Sequence, residues 1–154
     1  MDIKKIFWIL SWIVAGVTFA MILIHYGDIP DEVPMHFDAT GVVDRYGSKN
    51  ELFILPVLSV LLILLFQFMT GKSIKINKHK QGVKNEAQVS VTKTFMSQMA
   101  LYCTLLFGWL VYQSMAVAVG KQTGLSSYFL VATFGGFIIL LVLYYIQLLS
   151  LIHI

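Results

Sequence analysis

The sequence predicts an all-α integral membrane protein: an up-down-up-down bundle of four transmembrane helices, with an ordered extracytoplasmic loop between the first two. Three observations carry this. The chain of 154 residues is 58% hydrophobic and only 12% charged, with a mean hydropathy of +0.79. One domain of that size could not hide so much apolar surface from water. Four apolar segments, Ile6–Ile24, Leu52–Met69, Phe95–Val119 and Tyr128–Leu151, are long enough to cross a hydrocarbon core about 30 Å thick. Finally, the basic residues are distributed unequally between the connections.

None of the four segments contains Asp, Glu, Lys or Arg. The first follows a short basic stretch and could be read as a signal peptide. Its apolar run is too long for that, and Phe and Met crowd the loose Thr18-Phe19-Ala20 cleavage pattern, so the expectation is a retained anchor. The second has Pro56 shortly inside its start, which should kink the helix or break off its first turn. Just upstream, Ser48-Lys49-Asn50-Glu51 has the spacing of a capping box, placing the helix start near Ser48. Asn85-Glu86-Ala87-Gln88 offers a similar start for the third helix, before it reaches lipid. Gly16/Ala20, Ala116/Gly120 and Gly135-Gly136 would let helix backbones approach closely. Trp8, Trp12, Tyr26, Tyr46 and Tyr128 fall near span ends, where amphipathic rings prefer to sit.

Eight of the eleven basic residues precede the first span or lie between the second and third; Arg45, Lys49 and Lys121 fall on the other side. Basic residues in short loops favour the cytoplasm, so both termini and the 70–93 loop should be cytoplasmic and the 26–51 loop should face outward. Attraction to anionic headgroups explains the lysines of the inner loop, and a cytoplasmic partner at Lys72–Lys93 is the sharper alternative. A net charge of +3, without aromatics interleaved among the lysines, argues against nucleic acid as a partner. Spans without ionisable residues argue against ion-coupled transport. The lone Cys103 excludes an internal disulfide. Chemistry, if any, belongs at the outer face.

Six of the eight carboxylates lie between Asp28 and Glu51. Within this stretch Pro30 and Pro34 favour an extended arm over Ile29–Phe37. Thr40-Gly41 suggests a tight turn with Gly41 at positive φ, and Tyr46-Gly47 a second one. His36, Asp38 and Asp44 are the ligand-type side chains. On a strand His36 and Asp38 share a face, and the turn could fold Asp44 back toward them. The bland reading is that the aspartates satisfy loop amides while His36 caps a turn. One imidazole with two carboxylates could instead hold a divalent cation such as Zn²⁺ or Mn²⁺, or work as a general acid/base pair. Neither the phosphate-loop spacing nor the calcium-loop spacing is met here.

The run Ile29-Pro30-x-x-Val33-Pro34-x-His36-Phe37-Asp38-x-x-Gly41-x-x-Asp44-x-Tyr46-Gly47-Ser48-Lys49 resembles the signature of a bacterial membrane domain of unknown function, number 1648, with Ile29 where that signature has Leu. The signature lies between the first two membrane helices of that family, which includes the N-terminal part of the Sdp-type immunity proteins. Those proteins protect bacteria against a secreted toxin and signal its presence, and they carry a further conserved helical region that has no placeable counterpart here. The resemblance implies a bacterial plasma-membrane protein and transfers location more firmly than function.

Two functions follow as expectations. The first is a non-enzymatic immunity or sensor-type protein whose outer loop recognises a peptide, toxin or envelope component, with no cofactor. Pro30, Pro34, His36, Phe37, Asp38, Gly41, Asp44, Tyr46 and Lys49 would shape its binding surface, and membrane lipids would surround its spans. The alternative is a membrane-surface, metal-dependent hydrolase or transferase acting on a lipid or envelope precursor through His36, Asp38 and Asp44.

Overall fold

The computed structural model describes residues 2–73 and 83–151. Helix α1 spans Ile3–His25. A β-hairpin follows, with β1 over Glu32–Phe37 and β2 over Val43–Ser48. A 3₁₀ turn, Lys49–Phe53, leads into α2 (Ile54–Phe68), which ends in a π turn over Met69–Ser73. Helices α3 (Val83–Ala118) and α4 (Ser127–Ser150) complete the chain. Among the described residues, four helical stretches are long and apolar enough to cross a membrane: Ile3–His25, Lys49–Gly71, Glu86–Ala118 and Ser127–Ser150. The molecule is thus mostly helical, and the all-α expectation is amended by one two-stranded antiparallel sheet.

Helix α3 is the hub, packing against α1, α2, α4 and β1. The seam where α1, α2 and α3 meet is lined by small and hydroxylated residues: Ser11, Ala15 and Thr18 on α1, Ser59 on α2, Ser97, Ala100 and Thr104 on α3. Their hydroxyls need no partner on another helix. Ser11 donates to the Phe7 carbonyl at 2.8 Å, Thr18 to Val14 at 2.9 Å, and Thr104 to Ala100 at 2.7 Å. A polar group satisfied within its own helix costs little in an apolar surrounding, and its small size lets backbones approach. This corrects the expected small-residue pairs. Gly16 and Ala20 face outward; the buried pair at that spacing is Ser11/Ala15, five residues earlier. Gly120 lies beyond α3, whereas Gly136 does serve close packing, because a Cβ there would lie 2.7 Å from the Tyr102 ring.

Along α1 and α3, Lys4 Nζ reaches Ser90 Oγ at 3.3 Å, and Thr18 lies against Gly108. Between α3 and α4, Phe95 stacks on Tyr144 and Trp109 meets Phe129 edge-on. The Tyr102 hydroxyl reaches the Ala132 and Thr133 carbonyls at 2.7 and 2.6 Å. Helix α4 has no fully buried residue.

The second span begins as its sequence demands. The Ser48 Oγ accepts the Asn50 amide at 3.3 Å, and the Glu51 carboxylate accepts the Ser48 amide at 3.0 Å, the reciprocal capping box. The first turn is 3₁₀, and α-helical geometry starts only at Ile54, which places Pro56 in the opening α-turn, where a missing N–H is tolerated. Helix α3 is already formed at Val83, before Asn85. At 36 residues it measures about 54 Å, longer than the bilayer core requires. Much of the basic segment expected to meet a cytoplasmic partner, Lys72–Lys93, falls on residues 74–82, outside the described residues.

Candidate functional site

The hairpin is built around a three-residue connection. Gly41 donates to the Asp38 carbonyl at 2.9 Å, and Asp38 donates to the Val42 carbonyl at 2.8 Å. Gly41 takes φ +84°, the left-handed position that closes such a hairpin. The Asp38 carboxylate fastens the turn from inside. Its Oδ1 accepts the Thr40 amide at 2.8 Å, the Val42 amide at 3.0 Å and the Thr40 hydroxyl at 2.7 Å. Those bonds, the Thr40 hydroxyl foremost and then the Val42 amide, hold the Asp38 carboxyl below its ordinary value. Tyr46-Gly47, expected as a second turn, continues strand β2 through to Ser48. Gly47 is there for space: a Cβ would lie 2.5 Å from Glu51 Oε1 and 2.8 Å from Met35 Cγ.

Strand β1 is seated on the helices. Val33 is fully buried and packs in a cluster with Ile22, Ile29, Leu52, Val111 and Met115. Pro34 is also buried, and the Ser114 hydroxyl of α3 donates to its carbonyl. Phe37, expected on the face opposite His36, lines a small cavity with Leu110, Val111 and Ser114 beneath the strand. The turn is held from the other side as well, because Leu125, in the α3–α4 connection, donates to the Gly41 carbonyl at 2.8 Å. Lys49 anchors the hairpin's exit: its ammonium lies 3.0 Å from Asp31 Oδ1 and 4.7 Å from the Tyr26 ring centroid. Pro30 is exposed at the entry.

The opposite face is displayed. His36 Nδ1 lies 2.6 Å from Asp44 Oδ1, across the ladder, with side chains 65% and 46% exposed. An ionised carboxylate only accepts, so Nδ1 carries the hydrogen in this contact, and in the neutral ring Nε2 is then an acceptor. Asp38 does not join them. The strand ends at Phe37, and Asp38 turns its oxygen to its own loop, so the face-sharing expected for His36 and Asp38 is lost. Pairing is irregular between Pro34 and His36 and again between His36 and Phe37, which is what brings His36 within reach of Asp44. Among the described residues no three His, Cys, Asp or Glu side chains come together as a metal site would need; a cation here would have two protein ligands from the named trio. Among the described residues no serine, threonine or cysteine hydrogen-bonds His36 in the role of nucleophile.

Backbone groups complete the site. The Pro34 carbonyl points to Ser114, away from β2. Residues opposite each other in an antiparallel ladder exchange both bonds or neither, so Pro34 and Tyr46, which are paired, are a non-bonded pair. The Tyr46 N–H and C=O therefore face the outer edge of β2, where no further strand lies among the described residues. Ser48 agrees with this phase, its amide turning outward to Glu51. The Tyr46 ring is 58% exposed beside that edge.

Ser114 was not visible as a site residue in sequence, since a serine in an apolar span ordinarily bonds its own helix; its neighbour in sequence, the buried Gln113, gave the only hint of polarity at that level. The Leu125–Gly41 bond had no local signal.

The fold and site together define a multi-pass helical membrane protein that holds a β-hairpin at one end of its helices. Residues 13–60 match the family model described as "Domain of unknown function (DUF1648)", and the match covers the C-terminal part of α1, the whole hairpin and the opening of α2. An "Uncharacterized protein" of the archaeon Archaeoglobus fulgidus is 37% identical over 62 residues, which is 40% of this chain and 34% of that protein. The match therefore spans about a third of the relative's length. No solved structure matches.

Proposed function

We propose that this is a plasma-membrane recognition protein, of immunity or sensor type, that captures an extended cationic peptide along the open edge of β2. The observation that carries the reading is the division of the hairpin. One strand is fixed to the helices by Val33, Pro34 and Ser114, while the other presents an unpaired backbone edge beside His36, Asp44 and Tyr46. An open edge offers main-chain hydrogen bonds to a peptide, and flanking side chains supply selectivity. Charge favours a basic partner: Asp28–Glu51 holds six carboxylates against Arg45 and Lys49, a net charge of −4 with His neutral.

On this reading the four helices alternate up and down and the hairpin faces outward, with both termini in the cytoplasm of a bacterial cell. The contacts of Lys4 with Ser90 and of Tyr144 with Phe95 fit that alternation, and the lysine distribution fits the orientation. In a Cys103-free background, a cysteine at Ser48 should react with an impermeant maleimide in intact cells and one at Ser73 should not; the reverse pattern would put the hairpin in the cytoplasm.

The recognition itself is tested with the purified full chain and the peptide Lys-Thr-Lys-Thr-Lys-Thr-Lys-Thr. Binding should shift the Asp44–Tyr46 amides, and alternate backbone N-methylation of the peptide should abolish it. Equal binding of the methylated peptide, or of the Glu-Thr counterpart, would sink the edge-pairing reading. Tight stoichiometric zinc or manganese in the purified protein would instead favour the metal-dependent hydrolase or transferase.

A further inference from the structure

We propose a second site, unrelated to the hairpin edge: a groove between the last turns of α1 and α3 that holds one anionic phospholipid of the surrounding leaflet, its phosphate at Lys121. The groove has a volume of about 350 Å³ and an apolar floor that includes Met21, Met115 and Ala116, with Val119 at its rim. That is the size range of sites that take up small ligands or part of a larger one. Leu23 and Ile24, in the same last turns of α1, are 63% and 75% exposed, apolar surface of the kind that lipid covers. Polar groups lie only at the mouth: His25, Asp28, Lys121 and the edge of Tyr112.

The charge of the mouth selects the ligand. Three cationic side chains lie in the connections at this end, and two are paired, Arg45 with Glu51 at 3.6 Å and Lys49 with Asp31 at 3.0 Å. Lys121 has no ion pair among the described residues, and Asp28 lies 3.9 Å from His25. The backbone at Lys121 is fixed: its amide donates to the Ala116 carbonyl at 2.9 Å and that of Gly120 to Val117 at 3.0 Å. Gly120 has φ +74°, which makes this a Schellman cap. The same bonds satisfy two of the carbonyls that would otherwise repel an anion at a helix C-terminus, as Asp28 and Ile29 do for His25 at the end of α1. What remains is an ammonium without an ion pair among the described residues, carried on a fixed backbone beside an apolar slot, which suits a headgroup phosphate with its acyl chain in the slot.

The experiment is native mass spectrometry of the full chain in detergent, with dioleoyl phosphatidylglycerol, the phosphatidylcholine of the same chains, or glycerol phosphate. Phosphatidylglycerol should be retained over phosphatidylcholine. Lys121→Gln should reduce that preference about five-fold, the worth of one basic residue near an anionic leaflet, and Asp28→Asn should increase it. Val119→Trp, a change at a half-exposed rim position, should crowd the slot and lower retention while leaving the melting temperature unchanged. Equal retention of the two lipids would overturn the proposal, since only an unselective lipid annulus would remain. Weaker retention in Asp28→Asn would also overturn it, because the mouth would then be reading an amine. Binding of glycerol phosphate as tight as that of the lipid would show a site for soluble anions and refute the acyl slot.

Discussion

Strands β1 and β2 are equally long and share one ladder, yet they belong to different parts of the molecule. Strand β1 contributes Val33 and Pro34 to the interior and has its outer carbonyl taken by Ser114. Strand β2 has no fully buried residue, and its outer edge carries the unpaired backbone of Tyr46. A two-stranded hairpin is marginal by itself in water. Here β1 borrows its stability from the helices, so β2 can stay exposed and still hold its shape. Order without burial is what separates a binding surface from a connector, and each prediction below tests one side of that division.

The largest effect should come from the seated strand. Val33→Asp would place an unpaired carboxylate among Ile22, Val111 and Met115, at a cost on the order of 4 kcal/mol or more. The hairpin should lift off, with amide exchange over Glu32–Ser48 rising toward that of an unfolded segment while the helices stay protected. Retained protection in the strands would mean that β1 is not what holds the hairpin.

Next is the turn. Gly41→Ala forces a Cβ into the left-handed region, costing about 1–2 kcal/mol, and sets it 2.7 Å from the Leu125 carbonyl oxygen, a backbone atom with little freedom to move. The α3–α4 connection and the turn should loosen together, visible as faster exchange at both the Gly41 and Leu125 amides. Loosening of the turn alone would mean that the two connections do not support each other.

A smaller effect is expected with pH. The Asp38 carboxyl is held below its ordinary value by the Thr40 hydroxyl and the Val42 and Thr40 amides. A lowered folded-state pKa means that this stabilisation is fully present above the unfolded carboxyl's pKa and is lost as pH falls through the lowered one. The Thr40 and Val42 amides should exchange faster, after correction for intrinsic rates, only at the acidic end. Asp38→Asn keeps an acceptor oxygen but cannot titrate, so it should flatten the dependence. An unchanged acid profile in that variant would put the sensitivity elsewhere.

These residues also mark how far the sequence could be read. Features set by neighbours along the chain were legible: the Ser48–Glu51 cap, the glycine at positive φ in position 41, a first turn set apart ahead of Pro56, and the approach of Asp44 to His36 across the turn. Features set by tertiary packing were not. Nothing local distinguishes a Gly47 that turns from one that makes room for Met35 and Glu51. The small-residue pair of α1 was misplaced by five positions because Gly16/Ala20 and Ser11/Ala15 fit the same spacing, and only the placement of α3 decides between them. Asp38 was placed with His36 by strand periodicity, which fails once the strand ends at Phe37.

The smallest structural effect, and the sharpest test, belongs to the displayed pair. His36 and Asp44 are both substantially exposed and contact each other rather than the core, so His36→Ala or Asp44→Ala should change stability by no more than about 0.5 kcal/mol, as surface substitutions do. The turn and the seat of β1 do not depend on them, and exchange at Val33 and Gly41 should be that of the parent. Binding should respond differently. Without Asp44 the imidazole loses the group that fixes its tautomer and ring orientation, and without His36 the edge loses the acceptor at Nε2. Either change should weaken the Lys-Thr peptide by about tenfold or more, equivalent to about 1.4 kcal/mol of recognition. His36→Gln, which keeps an acceptor on a side chain of similar reach, should recover part of that loss. If both alanine variants bind as the parent does, recognition runs through the backbone edge alone and the pair is only a surface ion pair. If instead they destabilise the hairpin, β2 is part of the scaffold after all, and the contrast between the two strands disappears.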